Sequence, residues 1–475
     1  MKNLLGKVLS LTLMAVASVA AGSAQTVADI DAVVQRAIDA KAMPAAGIAV
    51  VRDGKVFLVK GYGAADIDAK TVVGENTTFQ IASVTKQFTA AAVMLLVEKG
   101  KLSLDDALGK YVSDVPAKWS GITIRQLLNQ VSGIPNYTAG GKLIKDKTYT
   151  QSEILALVKD IPVRFEPGAK WEYSNTNYFL LGMIIEKVSG KAYPEFMSER
   201  IFKPLGMTST TINTSGLVIK NAASGYALTS GKWEKVKLDD PSQPFSAGAI
   251  VSTPTDMAKW ATAVSDGKLL KKTSWDEVWA PGKLTDGKPS NYGFGWQLGK
   301  FGETDYVGHS GGISGFSSFI VRFPADKLSI VVLANRAGQA PQELAFEVAG
   351  VFLPKVSAEL AKQKALKNVP AIADADPETS KFLRGVFESM VKGEGDPANY
   401  SAEMQKSMFP ENIKALKGPL GGQGPIKVFE LLSAETPDGG KRRVYRATFE
   451  SGMKVRVHFF IDAQGKIAGS NVRPE

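Results

Sequence analysis

Apolar and polar residues alternate with two different periods near the start of the chain. Apolar positions recur at helical spacing from Val27 to Ile38, and residues 45–63 then alternate around an Asp53-Gly54 turn. The first pattern predicts an amphipathic helix and the second predicts a β-hairpin. We therefore expect a helix packed on an antiparallel sheet.

A second helical pattern begins at Ser83. Phe88, Ala91 and Leu95 lie on one predicted face, and Gly100 has the position of a C-cap. This pattern predicts a buried helix whose first turn carries Ser83. Residues 105–240 continue with mostly helical patterns interrupted by Gly and Pro, which predicts a helical insert.

Strand patterns return in the second half of the chain. A helical pattern over Thr255–Val264 precedes two strand-like runs, Gly315–Phe323 and Leu328–Asn335. Strands at both ends of a helical insert predict an α/β (α+β) fold.

The C-terminal part has a different composition. Residues 354–376 are rich in Ala, Lys, Asp and Pro and lack aromatic residues, which predicts a helix-plus-linker boundary that we assign as the linker. Residues 377–475 combine a helical pattern with alternating stretches joined by turns, which predicts a small α+β accessory module. The helical pattern covers Ser380–Lys392, and the alternating stretches are Ile426–Leu432, Arg443–Phe449 and Lys454–Ile461.

The N-terminus has the pattern of an export signal. A basic start with Lys2 and Lys7 precedes an apolar run, Val8–Ala20, and small residues stand at Gly22 and Ala24. The run is shorter than the ~20 residues that a membrane span needs. We expect a signal peptide over residues 1–24, a main domain over 25–353, and a periplasmic or secreted product without a stable membrane anchor.

Composition excludes several kinds of site. The 475 residues include no Cys, so a disulfide framework, a Cys nucleophile and a zinc–thiolate site are ruled out. The two histidines, His309 and His458, fall in different predicted modules, so we expect no metal and no cofactor. The net charge of +10 is scattered rather than gathered into a stripe, which predicts no nucleic-acid partner.

Ser-x-x-Lys is the first candidate for catalytic chemistry, and context must select among its copies. The chain contains it at Ser83/Lys86, Ser265/Lys268, Ser389/Lys392 and Ser451/Lys454. Only Ser83 follows a predicted strand end and opens a long apolar helix. Burial near a helix N-terminus would lower the pKa of Lys86 and allow it to act as a base. The alternative is a helix-capping Ser83 with a solvated Lys86.

Two further segments favour catalysis. Tyr173-Ser174-Asn175 precedes an amphipathic helix, so a phenol and an amide would lie at a loop–helix junction. Tyr173 would handle the Ser83 proton, and Asn175 would orient Lys86 and the substrate. The alternative makes Tyr173 a packing residue and Asn175 a helix cap. The sequence does not decide whether Lys86 or Tyr173 is the acylation base.

Gly308–Gly312 is the second segment. Its glycines allow close backbone approach to a substrate, with the N–H of Gly312 and that of Ser83 forming an oxyanion hole, and His309 lining the cleft. The segment also fits a G-x-S-x-G nucleophile elbow centred on Ser310. However, Ser310 leads into a predicted strand rather than a helix, which argues against that alternative.

Taken together, Ser83–Lys86, Tyr173–Asn175 and His309–Gly311 resemble the serine β-lactamase and penicillin-binding-protein family. The similarity is to its class C β-lactamase-related branch, which includes D-alanyl-D-alanine carboxypeptidases, D-aminopeptidases and esterases. It covers about residues 30–352. The supporting segments are Phe79–Lys86, Thr123–Leu128, Ser132–Pro135, Phe165–Gly168 and Pro204–Met207.

The resemblance implies a β-lactamase/transpeptidase-like α/β (α+β) fold, with an antiparallel sheet flanked by helices and an all-α subdomain. In this fold Ser83, Lys86 and Tyr173 are catalytic. It places Asn175, His309, Gly311 and Gly312 in substrate binding. His309 stands where many relatives have Lys, and Gln130 stands where the branch often has His. Without a permanent cation at position 309, we expect hydrolysis of D-amino-acid peptides or small esters through a Ser83 acyl-enzyme. The alternatives are a class C-like β-lactamase and a non-catalytic cell-wall sensor.

Overall fold

The computed structural model describes residues 26–475 except positions 230, 368, 410, 416 and 438. The predicted signal peptide lies outside the described residues. The described chain divides into two compact units, one up to Leu360 and one from Ala361 to Glu475. None of its described helices is both long enough and apolar enough to cross a membrane.

The first unit contains twelve described strands and most of the described helices. The strands are β1 (Ala45–Arg52), β2 (Lys55–Asp66), β3 (Thr71–Val72), β4 (Phe79–Gln80), β5 (Thr211–Ile212), β6 (Tyr226–Thr229), β7 (Lys232–Lys235), β8 (Ile250–Ser252), β9 (Gln297–Phe301), β10 (Thr304–Ile313), β11 (Phe316–Phe323) and β12 (Leu328–Ala334). The helices are α1 (26–39), α2 (Thr85–Glu98), α3 (Ala117–Ser120), α4 (Ile124–Leu128), α5 (Gln151–Ala156), α6 (Asn175–Ser189), α7 (Tyr193–Met197), α8 (Phe245–Gly248), α9 (Pro254–Ser265), α10 (Lys272–Val278) and α11 (Ala340–Phe352). Helix α12 (Pro354–Lys367) begins in the first unit, which ends at Leu360.

Seven strands form the main sheet in the order β3-β2-β1-β12-β11-β10-β9, and every neighbouring pair is antiparallel. The predicted hairpin is confirmed as β1 and β2. Successive strand side chains point to opposite faces, and both faces of β1 are buried. Ile48 and Val50 belong to the core shared with α1 and α11, whereas Ala49 and Val51 belong to the core that contains α2.

The predicted helix after Ser83 is confirmed as α2, with twelve of its fourteen residues buried. Helices α3–α8 follow, as expected for the helical insert. The same stretch also contains the short antiparallel hairpin β6–β7, which the helical reading did not predict. The predicted helix at Thr255–Val264 corresponds to α9, which begins one residue earlier because Thr253 caps it and Pro254 occupies its first turn.

Two boundaries differ from the sequence-based expectation. Gly308–Gly312 lies inside strand β10 rather than ahead of the strands, since its glycines hide the alternation that identifies a strand. Helix α12 is the helix expected at the helix-plus-linker boundary, but it occupies more than half of the segment assigned to the linker, because Pro354 can open a helix and the residues that follow are strong helix formers. Val356, near its start, is fully buried in the core of the first unit.

The second unit is a four-stranded antiparallel sheet with helices. Its strands lie in chain order, and the fourth, β16, was not predicted. Asp376 caps the first turn of α13, and Gly393 ends that helix in a left-handed conformation. The elements are α13 (Pro377–Lys392), α14 (Ala402–Met408), α15 (Glu411–Ala415), α16 (Lys417–Leu420), β13 (Ile426–Glu435), β14 (Gly440–Phe449), β15 (Lys454–Asp462) and β16 (Ile467–Pro474).

Candidate active site

Ser83 lies in a 3-10 turn, Ala82–Val84, that joins β4 to α2. The turn is strained, because Ala82 has a φ of 46°, in the left-handed region. Two hydrogen bonds made by the backbone of the preceding residue, Ile81, hold this turn in place. The carbonyl of Ile81 accepts from Ser318 Oγ at 2.7 Å, and its N–H donates to the carbonyl of Ile250 at 3.1 Å. These two hydrogen bonds therefore hold in place the turn from which the Ser83 side chain projects.

Ser83 does not cap α2. The N-cap is Val84, and no side chain makes a capping hydrogen bond there. Instead, Ser83 Oγ lies within hydrogen-bond distance of Lys86 Nζ, at 3.1 Å, and accepts a hydrogen bond from Tyr173 Oη at 2.9 Å. The capping alternative for Ser83 is wrong, and the hydroxyl is placed between two groups that can exchange a proton with it.

Lys86 is fully buried, with no exposed side-chain surface. Besides Ser83, its Nζ contacts Asn175 Oδ1 and the carbonyl of Ala247, both at 2.8 Å. All three partners are uncharged, so burial lowers the pKa of Lys86 well below 10.5. The alternative of a solvated Lys86 is also wrong. A neutral amine uses two N–H groups for these oxygens and keeps its lone pair for the Ser83 hydroxyl.

Tyr173 precedes α6 and faces the nucleophile. Its ring centroid lies 4.8 Å from Lys86 Nζ. Burial raises the pKa of its phenol, and the hydrogen bond with Ser83 opposes this only in part. Burial therefore favours the protonated phenol of Tyr173 and the neutral amine of Lys86. This favours Lys86 over a Tyr173 phenolate as the acceptor of the Ser83 proton.

Asn175 is the first residue of α6, and Ser174, not Asn175, occupies the N-cap position. Its Oδ1 accepts from Lys86, and its Nδ2 donates to Thr138 Oγ1 at 3.1 Å. The amide thus bridges the base and the cavity wall, which agrees with the orienting role expected from the sequence.

His309 does not have the environment expected for a substrate contact. It is 1% exposed, and both ring nitrogens are occupied, Nε2 by Tyr292 Oη at 2.8 Å and Nδ1 by the carbonyl of Ser310 at 2.6 Å. Burial lowers its pKa to about 3. The expectation that His309 lines the cleft is therefore corrected. It is a neutral residue behind the cleft, and its ring packs against that of Tyr173 at 6.1 Å.

The free edge of β10 borders the cavity. Strand β9 pairs with β10 only as far as Gly308, so the next residues have no strand on that side among the described residues. Ile313 and Phe316 close a two-residue hairpin with β11 and exchange hydrogen bonds. The alternation then directs the N–H of Gly312 to the open edge. This is the geometry that an oxyanion donor beside Ser83 requires.

Gly311 and Gly312 serve different purposes. A Cβ on Gly311 would lie 2.2 Å from the carbonyl of Ile81 and 2.4 Å from Ser318 Oγ. A Cβ on Gly312 would meet nothing within 4 Å. Gly311 thus permits β10 to pack against the turn that carries Ser83. It lies behind the cavity, where it does not contact a substrate.

A cavity of about 390 Å³ opens above Ser83, and Asn175 and Gly312 are on its wall. The sequence did not single out several of its residues, because they come from loops without a motif. Its remaining lining residues are Ala82, Tyr137, Thr138, Leu143, Lys145, Asp239, Gln243, Pro244, Ala247, Gly248 and Ile313. Tyr292, which holds His309, was also missed. Its hydroxyl is hydrogen-bonded to His309, so Tyr292 does not stand out as a buried polar side chain without a partner either.

Gln130 supports the site from beneath. Its Oε1 accepts from the N–H of Ser174 at 3.0 Å and from Asn177 Nδ2 at 2.6 Å. It therefore fixes the loop that carries Tyr173. Ser310, the rival nucleophile, lies in the middle of β10 with no helix after it. Among the described residues, no group of three or more His, Asp or Glu side chains has the arrangement of a metal site.

Comparison with known proteins agrees with this geometry. The family model described as Beta-lactamase matches residues 30–350. The chain belongs to the β-lactamase family. Protein flp of Staphylococcus aureus (strain MW2) is 33% identical over 313 residues, which are 64% of this chain and 62% of that protein. Penicillin-binding protein 4* of Bacillus subtilis (strain 168) is 30% identical over 309 residues, covering 62% of this chain and 68% of that one.

Among solved structures, this β-lactamase-family chain is similar to D-amino acid amidase from Ochrobactrum anthropi SV3 in complex with L-phenylalanine amide. The identity is 29% and the TM-score 0.61, over 72% of this chain and 99% of that one. The resemblance and the fold class inferred from the sequence are thus confirmed. The chain spans 62% of the length of the flp protein it matches, so similarity to that relative does not extend to the whole of it.

Proposed function

We propose that this chain is an exported serine hydrolase that cleaves an amide or ester bond through an acyl-enzyme on Ser83. The observation that carries the proposal is the position of Ser83 Oγ, within hydrogen-bond distance of both Lys86 Nζ and Tyr173 Oη at the base of a cavity. A serine hydroxyl is a weak nucleophile until a base takes its proton. The three side chains supply that base and a route for the proton.

Acylation begins with transfer of the Ser83 proton to the neutral amine of Lys86. The Ser83 oxygen attacks the carbonyl carbon of the substrate, and a tetrahedral oxyanion forms. The N–H groups of Ser83 and Gly312 stabilise that oxyanion. Asn175 holds Lys86 in place, since its Oδ1 accepts a proton of the amine at 2.8 Å.

The leaving group then needs a proton. Tyr173 already donates to Ser83 Oγ and is placed to pass its proton to the departing amine or alcohol, regaining one from the Lys86 ammonium. Water attacks the acyl-enzyme in the second half of the reaction, and the same groups work in reverse. Acid and base duties thus fall on Tyr173 and Lys86, with no metal or cofactor in any step.

For the substrate, we propose D-amino-acid amides, peptides or small esters. The similarity to a D-amino acid amidase supports this choice. So does His309, which is buried and neutral where many relatives have a lysine, and which therefore gives the cavity no fixed cation for a substrate carboxylate. The similarity to penicillin-binding protein 4* supports a cell-wall-derived peptide as a further candidate substrate.

The purified protein and a Ser83→Ala variant would be tested with D-alanine p-nitroanilide, p-nitrophenyl butyrate and a chromogenic cephalosporin. We expect turnover of the anilide or the ester that disappears in the variant. Cephalosporin hydrolysis faster than either would favour the class C-like β-lactamase instead. Absence of turnover on all three would favour the non-catalytic sensor.

A further inference from the structure

The sheet of the second unit has a groove of about 460 Å³ on one face. Val457 and Phe459 on β15 belong to the core shared with α13, so the alternation of the strand directs His458 and Phe460 to the opposite face. His458 is exposed there and lines the groove together with Phe460. The groove therefore lies on the face of the sheet that does not pack on α13.

Two arginines flank His458 on this face. Arg442 on β14 is the cross-strand partner of Phe460, and Arg473 on β16 is that of Arg456. Each of the two is therefore a diagonal neighbour of His458, with the Cα atoms about 7–8 Å apart, a distance that an arginine side chain can span. The register thus allows both guanidinium groups to reach the space above the imidazole.

Neither of these guanidinium groups is paired with a carboxylate. Arg442 lies over the ring of Phe460, with its Cζ 5.9 Å from the ring centroid, and Arg473 Nε donates to Asn471 Oδ1 at 3.1 Å. For both arginines the structure records no ion pair with a described residue, and both are exposed. Because a guanidinium has five N–H donors, each keeps several of them for a ligand.

The charge that acts on the groove is positive. The pKa of His458 is lowered from 6.5, first by partial burial and then by the guanidinium groups of Arg473 and Arg456. Arg456 is paired with the nearly buried Glu475, whereas Arg473 is exposed. An anion above the imidazole would therefore meet the positive charge of Arg473 on one side and that of Arg442 on the other.

The lining favours a phosphate group over a carboxylate. Asn471 adds a neutral N–H donor, and Val444 and Phe460 add apolar surface. Glu435, an acidic residue on the wall, stands at the end of β13 and contacts Ser433 Oγ at 3.5 Å. A phosphate monoester carries nearly two charges and three terminal oxygens, so it can accept from two guanidinium groups and an amide at once, which a carboxylate cannot.

We propose that this groove binds a phosphate monoester, with the phosphate group held between Arg442 and Arg473 above His458 and the organic part packed on Phe460. The lining residues all belong to the second unit, so the proposal does not depend on the reaction at Ser83. It gives the accessory unit a ligand of its own, and its failure would leave the proposed hydrolase function unaffected.

Proton NMR of the His458 imidazole reports on the groove directly. The chain has two histidines, and the His458 signal is the one that is missing from His458→Gln. Glucose 6-phosphate, glucuronate and glucose share a ring and carry about two, one and no negative charges near neutral pH. They would be titrated into the full chain at constant ionic strength, with inorganic phosphate as a further probe.

We expect glucose 6-phosphate to bind saturably and to raise the pKa of His458 by about one unit, because a neighbouring anion favours the imidazolium. Glucuronate should bind about tenfold more weakly, inorganic phosphate should bind more weakly than the ester, and glucose should not shift the signal. Absence of a saturable shift with glucose 6-phosphate would overturn the proposal. Equal binding of glucuronate would overturn the choice of a phosphate, and equal binding of inorganic phosphate the choice of an ester.

Arg442→Gln and Arg473→Gln should each weaken the binding of glucose 6-phosphate about tenfold, while the far-ultraviolet circular dichroism of the chain is retained. Lys454→Gln is the matched control. It removes the same charge from an exposed residue that is about 13 Å from His458 along β15 and does not line the groove, so the dissociation constant should change little. Equal weakening in Lys454→Gln, or wild-type affinity in both arginine variants, would overturn the proposal.

Discussion

Lowering the pH from 7 to 4.5 is expected to destabilise the first unit through His309. The pKa of this buried imidazole falls from an ordinary 6.5 to about 3 in the folded chain, because burial disfavours its cation. Its contribution to stability is fully present above pH 6.5 and is lost as the pH falls towards 3. Between pH 7 and 4.5 the imidazole takes up a proton in the unfolded chain but not in the folded chain. This difference lowers the free energy of unfolding by about 2.5 kcal/mol.

Urea unfolding followed by tryptophan fluorescence measures this cost. All seven tryptophans lie between Trp119 and Trp296, so the signal reports on the first unit. The loss of unfolding free energy between the two pH values should be about 2.5 kcal/mol smaller in His309→Gln than in the wild type. His458→Gln is the matched control and should keep the wild-type pH dependence of this signal.

The chain has only two histidines, so proton NMR of the wild type provides a second test that needs no variant of His309. We expect one imidazole, that of His309, to show no titration between pH 5 and 8. If the His309 signal titrates near 6.5, or if His309→Gln keeps the full wild-type loss, the assignment of a neutral, buried imidazole is refuted.

Two further predictions concern the residues around Ser83. Lys86→Met should lower kcat about 10²–10⁴-fold while the unfolding transition measured by fluorescence is retained. In the wild type, kcat/KM should fall on the acid side of its pH profile as Lys86 becomes protonated, with a pKa well below 10.5. Gly311→Ala should lower the unfolding free energy by about 1–3 kcal/mol in the same urea assay, because its Cβ would lie 2.2 Å from the carbonyl of Ile81, whereas Gly312→Ala should be nearly neutral for stability. A Lys86→Met variant with wild-type kcat, or equal destabilisation at both glycines, would contradict these statements.

The local patterns predicted the elements in which apolar residues recur at the spacing of a helix or of a strand. Helix α2 and the β1–β2 hairpin are of this kind, because their apolar residues recur with a single period. Strand β10 was missed in part because its glycines serve close packing on Ile81 and leave no alternating apolar face. The β6–β7 hairpin carries few apolar residues, so no pattern indicated it.

The candidate site shows the same division. Ser83, Lys86 and Tyr173 were found from spacing and context, and the structure brings their reactive atoms together. The environment of His309 was not predictable, since it depends on Tyr292 and on the depth at which β10 is buried. Asp239 comes from a loop without a motif, and only the folded chain places it at the cavity.

Mass spectrometry after reaction with a fluorophosphonate tests the central claim most directly. We predict one adduct per chain, located by peptide mapping on Ser83, absent from Ser83→Ala and much slower in Lys86→Met. An adduct on Ser310, or labelling of Ser83→Ala at the wild-type rate, would contradict the assignment of Ser83 as the nucleophile.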